Sequence, residues 1–372
     1  MDTSHSRFIW LPLLLLCTIY FSGCVTSPPV NEESQPATAP QQANIAEAEP
    51  LYAIDGPLLP ALDINVLIFD FTPSAEDTTA HSAVRGLEAR LLPGLFREAL
   101  VSSNQWGAVR VVPTASPLAP VNIQTTVVTS DGRDLVLEVQ VVDATGVQWF
   151  SITLFDRHAT PAEDLMALQA LFYVVSNRMR EYWLSLSQAQ RTQLIAISNL
   201  LYARELAPDA FSNYVEEGAA ALTLKRAPAD DDPMLGRVQM IKNQEYLFCD
   251  AIDEQLGALL ERAGPTYHLW RQAATEQANW LDYYEPMAAA RASGQGGGEF
   301  ARMHASYSAY RSFRIQEQAL LELAEALEGE SEPVVLTVQD AVVTLEGTLA
   351  AQYAAWRKLL REIFLLEQGE LQ

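Results

Sequence analysis

The spacing of apolar residues changes partway along the chain. Between about residue 60 and residue 156 they come in short runs and alternations, and from about 160 onward they recur every three or four positions. "INVLIFDF" is a short, fully apolar stretch that runs into the turn-forming "TPSAED", which predicts a buried strand. "TTAHSAVRGLEARLL" then puts Ala80, Val84, Leu87 and Leu91 on one helical face. Pro93-Gly94 is expected to interrupt that helix, with "GLFREALV" starting a second piece. "AVRVVP" predicts another strand. Two longer strands, "VNIQTTVVT" and "LVLEVQVVDA", are joined by Ser130-Asp131-Gly132-Arg133, a hairpin signal. Leu135, Leu137, Val139 and Val141 alternate with Val136, Glu138, Gln140 and Val142, as in a sheet covered mainly on one face. "GVQWFSITLF" closes the meander after the turn at Ala144-Thr145-Gly146.

The second half reads as helix. "PAEDLMALQALFYVVSNRMREYWLSL" starts with Pro161 in its first turn and acids at 163 and 164. "SQAQRTQLIAISNLLYARELA" follows. Asp232-Pro233 opens the longest stripe, Met234, Val238, Ile241, Phe248, Ile252, Leu256 and Leu259, which Gly264-Pro265 is expected to close. "TYHLWRQAATEQANWLDYYEPMAAARA" is then a further helix leading to the glycines of 294–298, read as a flexible joint. "EFARMHASYSAYRSFRIQEQALLELAEALEG" is another helix, "PVVLTVQDAVVTLEG" two short strands about Gln339-Asp340, and "AAQYAAWRKLLREIFLLE" a terminal amphipathic helix. The fold class expected is α+β: a small mixed α/β sheet domain over 51–158, then a mainly helical bundle over 159–372 with a β-hairpin near 333–347.

The amino terminus poses a separate question. Phe8 to Tyr20 is apolar but too short for a bilayer span of about 20 residues, and suits the core of a secretory signal. It ends at Phe21-Ser22-Gly23-Cys24, which resembles the bacterial lipobox, with Phe21 where leucine is usual. That resemblance implies removal of 1–23 and acylation of Cys24, by palmitate-type chains, as a membrane anchor; two chains give stable anchoring. The other reading is an ordinary secretory signal with an incidental cysteine. Val25 stands where an aspartate would resemble an inner-membrane retention signal, which implies the periplasmic face of the outer membrane. Residues 24–50, with prolines at 28, 29, 36, 40 and 50, read as a disordered tether reaching about 80 Å.

Charge and cysteine content narrow the function. Removal of 1–23 takes one acid (Asp2) and one base (Arg7), so the net charge stays at −23. Such a chain repels nucleic acid and anionic membrane surfaces. With Cys17 in the signal and Cys24 acylated, Cys249 is left alone, and no intramolecular disulfide is expected. In "EYLFCDAI" it reads as a buried thiol rather than a nucleophile.

The order "NVLIFDF", helix, "ALVSSNQWGAVRVVP", "IQTTVVTSDGRDLVLEVQVVDATGVQWF" resembles the α/β domain of CsgG-like, LpoB-like and TolB amino-terminal-like periplasmic proteins. Over about 100 residues it implies the fold; its relatives serve secretion, synthase activation and scaffolding alike. Ring-forming relatives imply a homo-oligomer. There is one departure: no pair of long alternating segments rimmed by aromatics is present to give a pore its membrane strands. The whole layout, including "DDDPMLGRVQMIKNQEYLF" and "LEGTLAAQYAAWRKLLREI", is similar to uncharacterised proteobacterial lipoproteins.

Candidate chemistry is sparse. His81, His158, His268 and His304 are scattered, without the spacing of helix-borne metal ligands, so no metal is expected. Asp230-Asp231-Asp232 reads better as a helix N-cap than as a cation site. Glu245, between Ile241 and Phe248 on the long stripe, is an acid of raised pKa, the partner of a nearby Arg or Lys, or a residue at the stripe's edge. His268, Trp270, Trp280 and the Tyr283-Tyr284 pair either line a sugar-binding groove or pack between helices. No nucleophile elbow, phosphate loop or cysteine–histidine signature is present, so no catalytic residue and no cofactor are assigned. The expectation is a non-catalytic scaffold or adaptor that binds envelope proteins in assembly or export. The alternative is a hydrolase of peptidoglycan or polysaccharide.

Overall fold

A computed structural model describes residues 45–46, 49–72, 79–158, 165–229, 231–284, 299–327, 332–338 and 341–368. The signal, Cys24, most of the tether, the Pro161 start and the 294–298 glycines lie outside them. All described residues belong to one compact unit, Ala43–Gln372.

The strands are β1 (Ile45–Ala46), β2 (Ile64–Leu67), β3 (Asp70–Phe71), β4 (Val109–Val112), β5 (Val121–Ser130), β6 (Asp134–Asp143) and β7 (Gln148–Arg157). They form one mixed sheet of order β1-β7-β6-β5-β2-β4, with β3 also on β5. β5, β6 and β7 are an antiparallel meander, whereas β2 lies parallel between β5 and β4. The alternation in β6 falls as expected: Leu135, Leu137, Val139 and Val141 are buried, while Glu138 and Gln140 are exposed. Gly132 turns the β5–β6 hairpin at φ 90°, a backbone angle that favours glycine. A β-carbon there would lie 2.6 Å from Ala274 Cβ and 3.1 Å from the Trp270 ring, because a helix passes directly over the turn.

β1 falls inside the span expected as tether. Ile45 and Ala46 pair with Thr153 and Leu154, and Asn177 Nδ2 donates to Pro50 O at 3.0 Å. The last residues before 51 therefore belong to the folded body.

The helices are α1 (Thr79–Ser102), α2 (Leu165–Ala170), α3 (Tyr173–Ser185), α4 (Gln188–Leu206), α5 (Pro208–Phe211), α6 (Pro233–Asn279), α7 (Glu299–Leu327) and α8 (Leu349–Gln368). Two expected breaks do not occur. α1 runs through Pro93, because Leu91, Leu92, Leu95 and Phe96 on both sides of it are buried. α6 runs 47 residues through Gly264-Pro265 and ends in a π turn, Trp280–Tyr284. Its buried face continues past the proline with Tyr267, Trp270 and Arg271, so burial outweighs the lost hydrogen bond. Conversely, the helix expected across 161–186 is two, α2 and α3, separated by Leu171 and Phe172. Two short hairpins complete the fold: β8–β9 (Val215–Glu217, Leu222–Leu224), which the apolar pattern does not announce, and β10–β11 (Val334–Val338, Ala341–Leu345), which it does.

Sheet and helices share one apolar cluster, from Ile64 and Val139 through Phe96 and Phe248 to Trp356 and Phe364. α6 protects the open edge of the sheet. The Val111 N–H, which β2 does not use, donates to Asp253 Oδ1 at 2.9 Å, and Arg97 Nε donates to Asp253 Oδ2 at 3.0 Å. Covering an edge strand in this way removes a template for pairing with other chains. At its other end, Arg271 donates to Gly132 O (3.2 Å), Arg133 O (3.3 Å) and Asp156 Oδ2 (2.6 Å), pinning the helix over the β5–β6 turn.

Candidate functional site

Three helices meet at Glu245, which α6 places on its buried face at 1% exposure. α4 supplies Tyr202, whose hydroxyl donates to Glu245 Oε2 at 2.7 Å. α8 supplies Tyr353, donating to Oε1 at 2.5 Å, and Arg357, whose Nε stands 3.3 Å from the same oxygen. Arg357 Nη2 also donates to Glu205 Oε2 on α4. Buried charge is tolerated only when paired and hydrogen-bonded, and here both carboxylate oxygens are taken. Burial, followed by the Glu245 charge, pushes the Tyr202 and Tyr353 phenols well up, so both remain donors. Burial works against the charge on Arg357, but the Glu245 and Glu205 carboxylates outweigh it and hold the guanidinium above its ordinary value.

One turn before Glu245 lies Lys242, 5% exposed, with its Nζ donating to Asn199 Oδ1 at 2.9 Å. Burial brings its pKa down to about 8. Cys249, one turn after, is fully buried, and burial raises its thiol well above the usual range. A thiol so protonated is inert. A cleft of about 370 Å³ opens beside Glu245, lined from α4 by Tyr202, Glu205 and Leu206 and from α8 by Arg357, Lys358, Leu360 and Arg361.

A second buried carboxyl, Glu88 of α1, is 0% exposed. Ser130 Oγ (2.5 Å) and Tyr267 hydroxyl (2.7 Å) both donate to its Oε1, while Oε2 has no hydrogen-bond partner among the described residues. Burial raises its pKa against those two bonds. The sequence carried a signal for it: Glu88 is four residues after Val84 and three before Leu91, on the apolar face of α1.

The remaining candidates do not converge. His158 Nδ1 lies 2.8 Å from Thr275 Oγ1 in the core, and its ring centroid is 6.1 Å from that of half-buried His268. His304 is exposed. The side chains of His81, Tyr283 and Tyr284 lie outside what the structure describes. Trp270 is buried against Tyr267 and the Gly132 turn, as helix packing, while Trp280 is half-buried. Asp232 is the N-cap of α6, accepting from Met234 N at 2.9 Å, with Pro233 in the first turn; Asp230 lies outside the described residues. Among the described residues there is no group of three potential metal ligands, and no helix is long and apolar enough to cross a membrane.

A scan of the chain against protein-family models finds no match, and a search of curated proteins finds no similar sequence.

Proposed function

We propose that the protein is a non-catalytic scaffold or adaptor of the bacterial envelope, anchored by acylated Cys24 to the periplasmic face of the outer membrane. Its role is to hold envelope proteins together in assembly or export. The observation that supports this is the state of Glu245, the best-placed candidate for chemistry. Both its oxygens accept from internal donors on α4 and α8, so the carboxylate is a latch that joins three helices, an arrangement that serves the fold. Crosslinking in cells, followed by mass spectrometry of what is captured, tests the reading. One defined envelope assembly should be recovered in stoichiometric yield, and recovery of the chain alone would overturn it.

The hydrolase reading has one observation in its favour: Glu205 and Glu245 line a single cleft, as a pair of carboxylates would. Arg357 bridges the two, however, and its single guanidinium ties both carboxylates into the fold. Purified peptidoglycan incubated with the protein should therefore stay intact, and release of soluble fragments that stops with Glu205→Gln would favour the hydrolase.

A further inference from the structure

The cleft beside Glu245 has donors that the latch does not use. Its volume, about 370 Å³, lies at the small end of ligand sites, which run from roughly 300 to 1,000 Å³. Arg357 commits Nε to Glu245 and Nη2 to Glu205, and its Nη1 makes no hydrogen bond among the described residues. Arg361, one helical turn further along α8, is exposed and makes no ion pair or hydrogen bond among the described residues. Lys358 has only a 3.9 Å approach to Glu362. Guanidinium groups one turn apart on one helix face can hold an oxyanion from two directions.

The charge of the lining selects among oxyanions. Arg357, Lys358 and Arg361 stand against Glu205 and Glu245, an excess of one positive charge in a chain of net −23. A monoanion neutralises that excess. A phosphate dianion would leave negative charge beside buried Glu245, where the low dielectric makes like charges costly. The rest of the lining is Leu206, Leu360 and Tyr202, which can cover a short apolar group attached to the anion.

We propose that this cleft binds a carboxylate carried on a short apolar group, with Arg361 and Nη1 of Arg357 as its hydrogen-bond donors. A small free acid and the last residue of a peptide share this chemistry. The proposal does not rest on the adaptor reading, since partner capture can succeed where the cleft stays empty, and the reverse.

Calorimetric titration of the full chain in detergent tests it at about pH 8.5, where inorganic phosphate is almost wholly dianionic, with N-acetyl-leucine, its neutral amide and inorganic phosphate as probes. The acid should bind with a Kd on the order of 1 mM, as its small size allows. The amide should bind at least ten-fold more weakly, and phosphate should give no saturable heat. Arg361→Gln touches no contact that the described fold uses, so it should keep the wild-type melting curve and weaken the acid at least five-fold. No saturable binding of the acid, equal binding of the amide or phosphate, or indifference to Arg361→Gln would each overturn the proposal. An acetylated tripeptide ending in leucine separates the sources. Tighter binding than N-acetyl-leucine assigns a peptide terminus, equal binding assigns a free acid, and both keep the carboxylate site.

Discussion

Glu245 ties distant parts of the chain through one carboxylate. Its partners lie 43 residues away on α4 and 108 residues away on α8. Sequence spacing placed Glu245 on a buried stripe and named an Arg or Lys as a partner type, but which one is a tertiary fact. Arg357 and the two tyrosines look like ordinary members of amphipathic helices until the helices pack. Removing Glu245 leaves Arg357 paired with Glu205 but takes the carboxylate acceptor from the buried Tyr202 and Tyr353 hydroxyls, at a cost of about 2–6 kcal/mol for the two. Glu245→Ala should lower unfolding stability in urea by that amount, and a loss below about 1 kcal/mol, the value of a surface pair, would deny the latch its role. Asp253 makes a second prediction at this scale. Burial lifts it from 3.8 to about 6, against the lowering effects of Arg97 and the Val111 N–H. The folded chain therefore takes up a proton that the unfolded chain has already released, and this stabilising contribution, complete below about pH 4, is lost as pH rises through about 6. Measured against Asp253→Asn, which cannot titrate, the wild type should lose about 3 kcal/mol between pH 4 and pH 7. A difference that stays flat with pH would contradict the raised value.

Helices and strands were legible to different degrees. The meander β5–β6–β7 was plain because alternation and turn glycines agree locally, and Asp232-Pro233 marks the start of α6 by the same local logic. Its end was not legible. Gly264-Pro265 has the residues of a helix stop, but the buried face carries on through Tyr267 and Trp270, and Gly264 comes so close to Leu165 that a β-carbon would lie 2.7 Å from its Cδ1. The parallel placement of β2 between β5 and β4 was hidden too, since partner choice in a parallel pair depends on a crossover rather than on a turn. If packing alone carries α6 through the proline, the proline itself contributes nothing favourable. Its side chain is exposed, and replacing it restores the N–H that can bond Glu261 O. Pro265→Ala should thus stabilise the protein by about 1–3 kcal/mol in thermal unfolding; a destabilised variant would mean that the helix needs the proline at that turn.

At the scale of the whole molecule, sheet and helices share one core, and α6 joins them by covering the sheet edge with Asp253 and the hairpin turn with Arg271. An adaptor benefits from such a frame, because surfaces held at fixed separations can present two partners in register. The strong negative charge disfavours non-specific contact with anionic lipid and nucleic acid, leaving the proposed acyl chains on Cys24 to supply membrane attachment. The anchor is the part of the account on which localisation and partner access both depend. The measurement that tests it most directly is separation of membranes from soluble envelope contents in cells making the wild type or Cys24→Ala. The account predicts wild-type protein in the outer-membrane fraction and the variant released to the soluble fraction. A variant that fractionates with the membrane as the wild type does would contradict it.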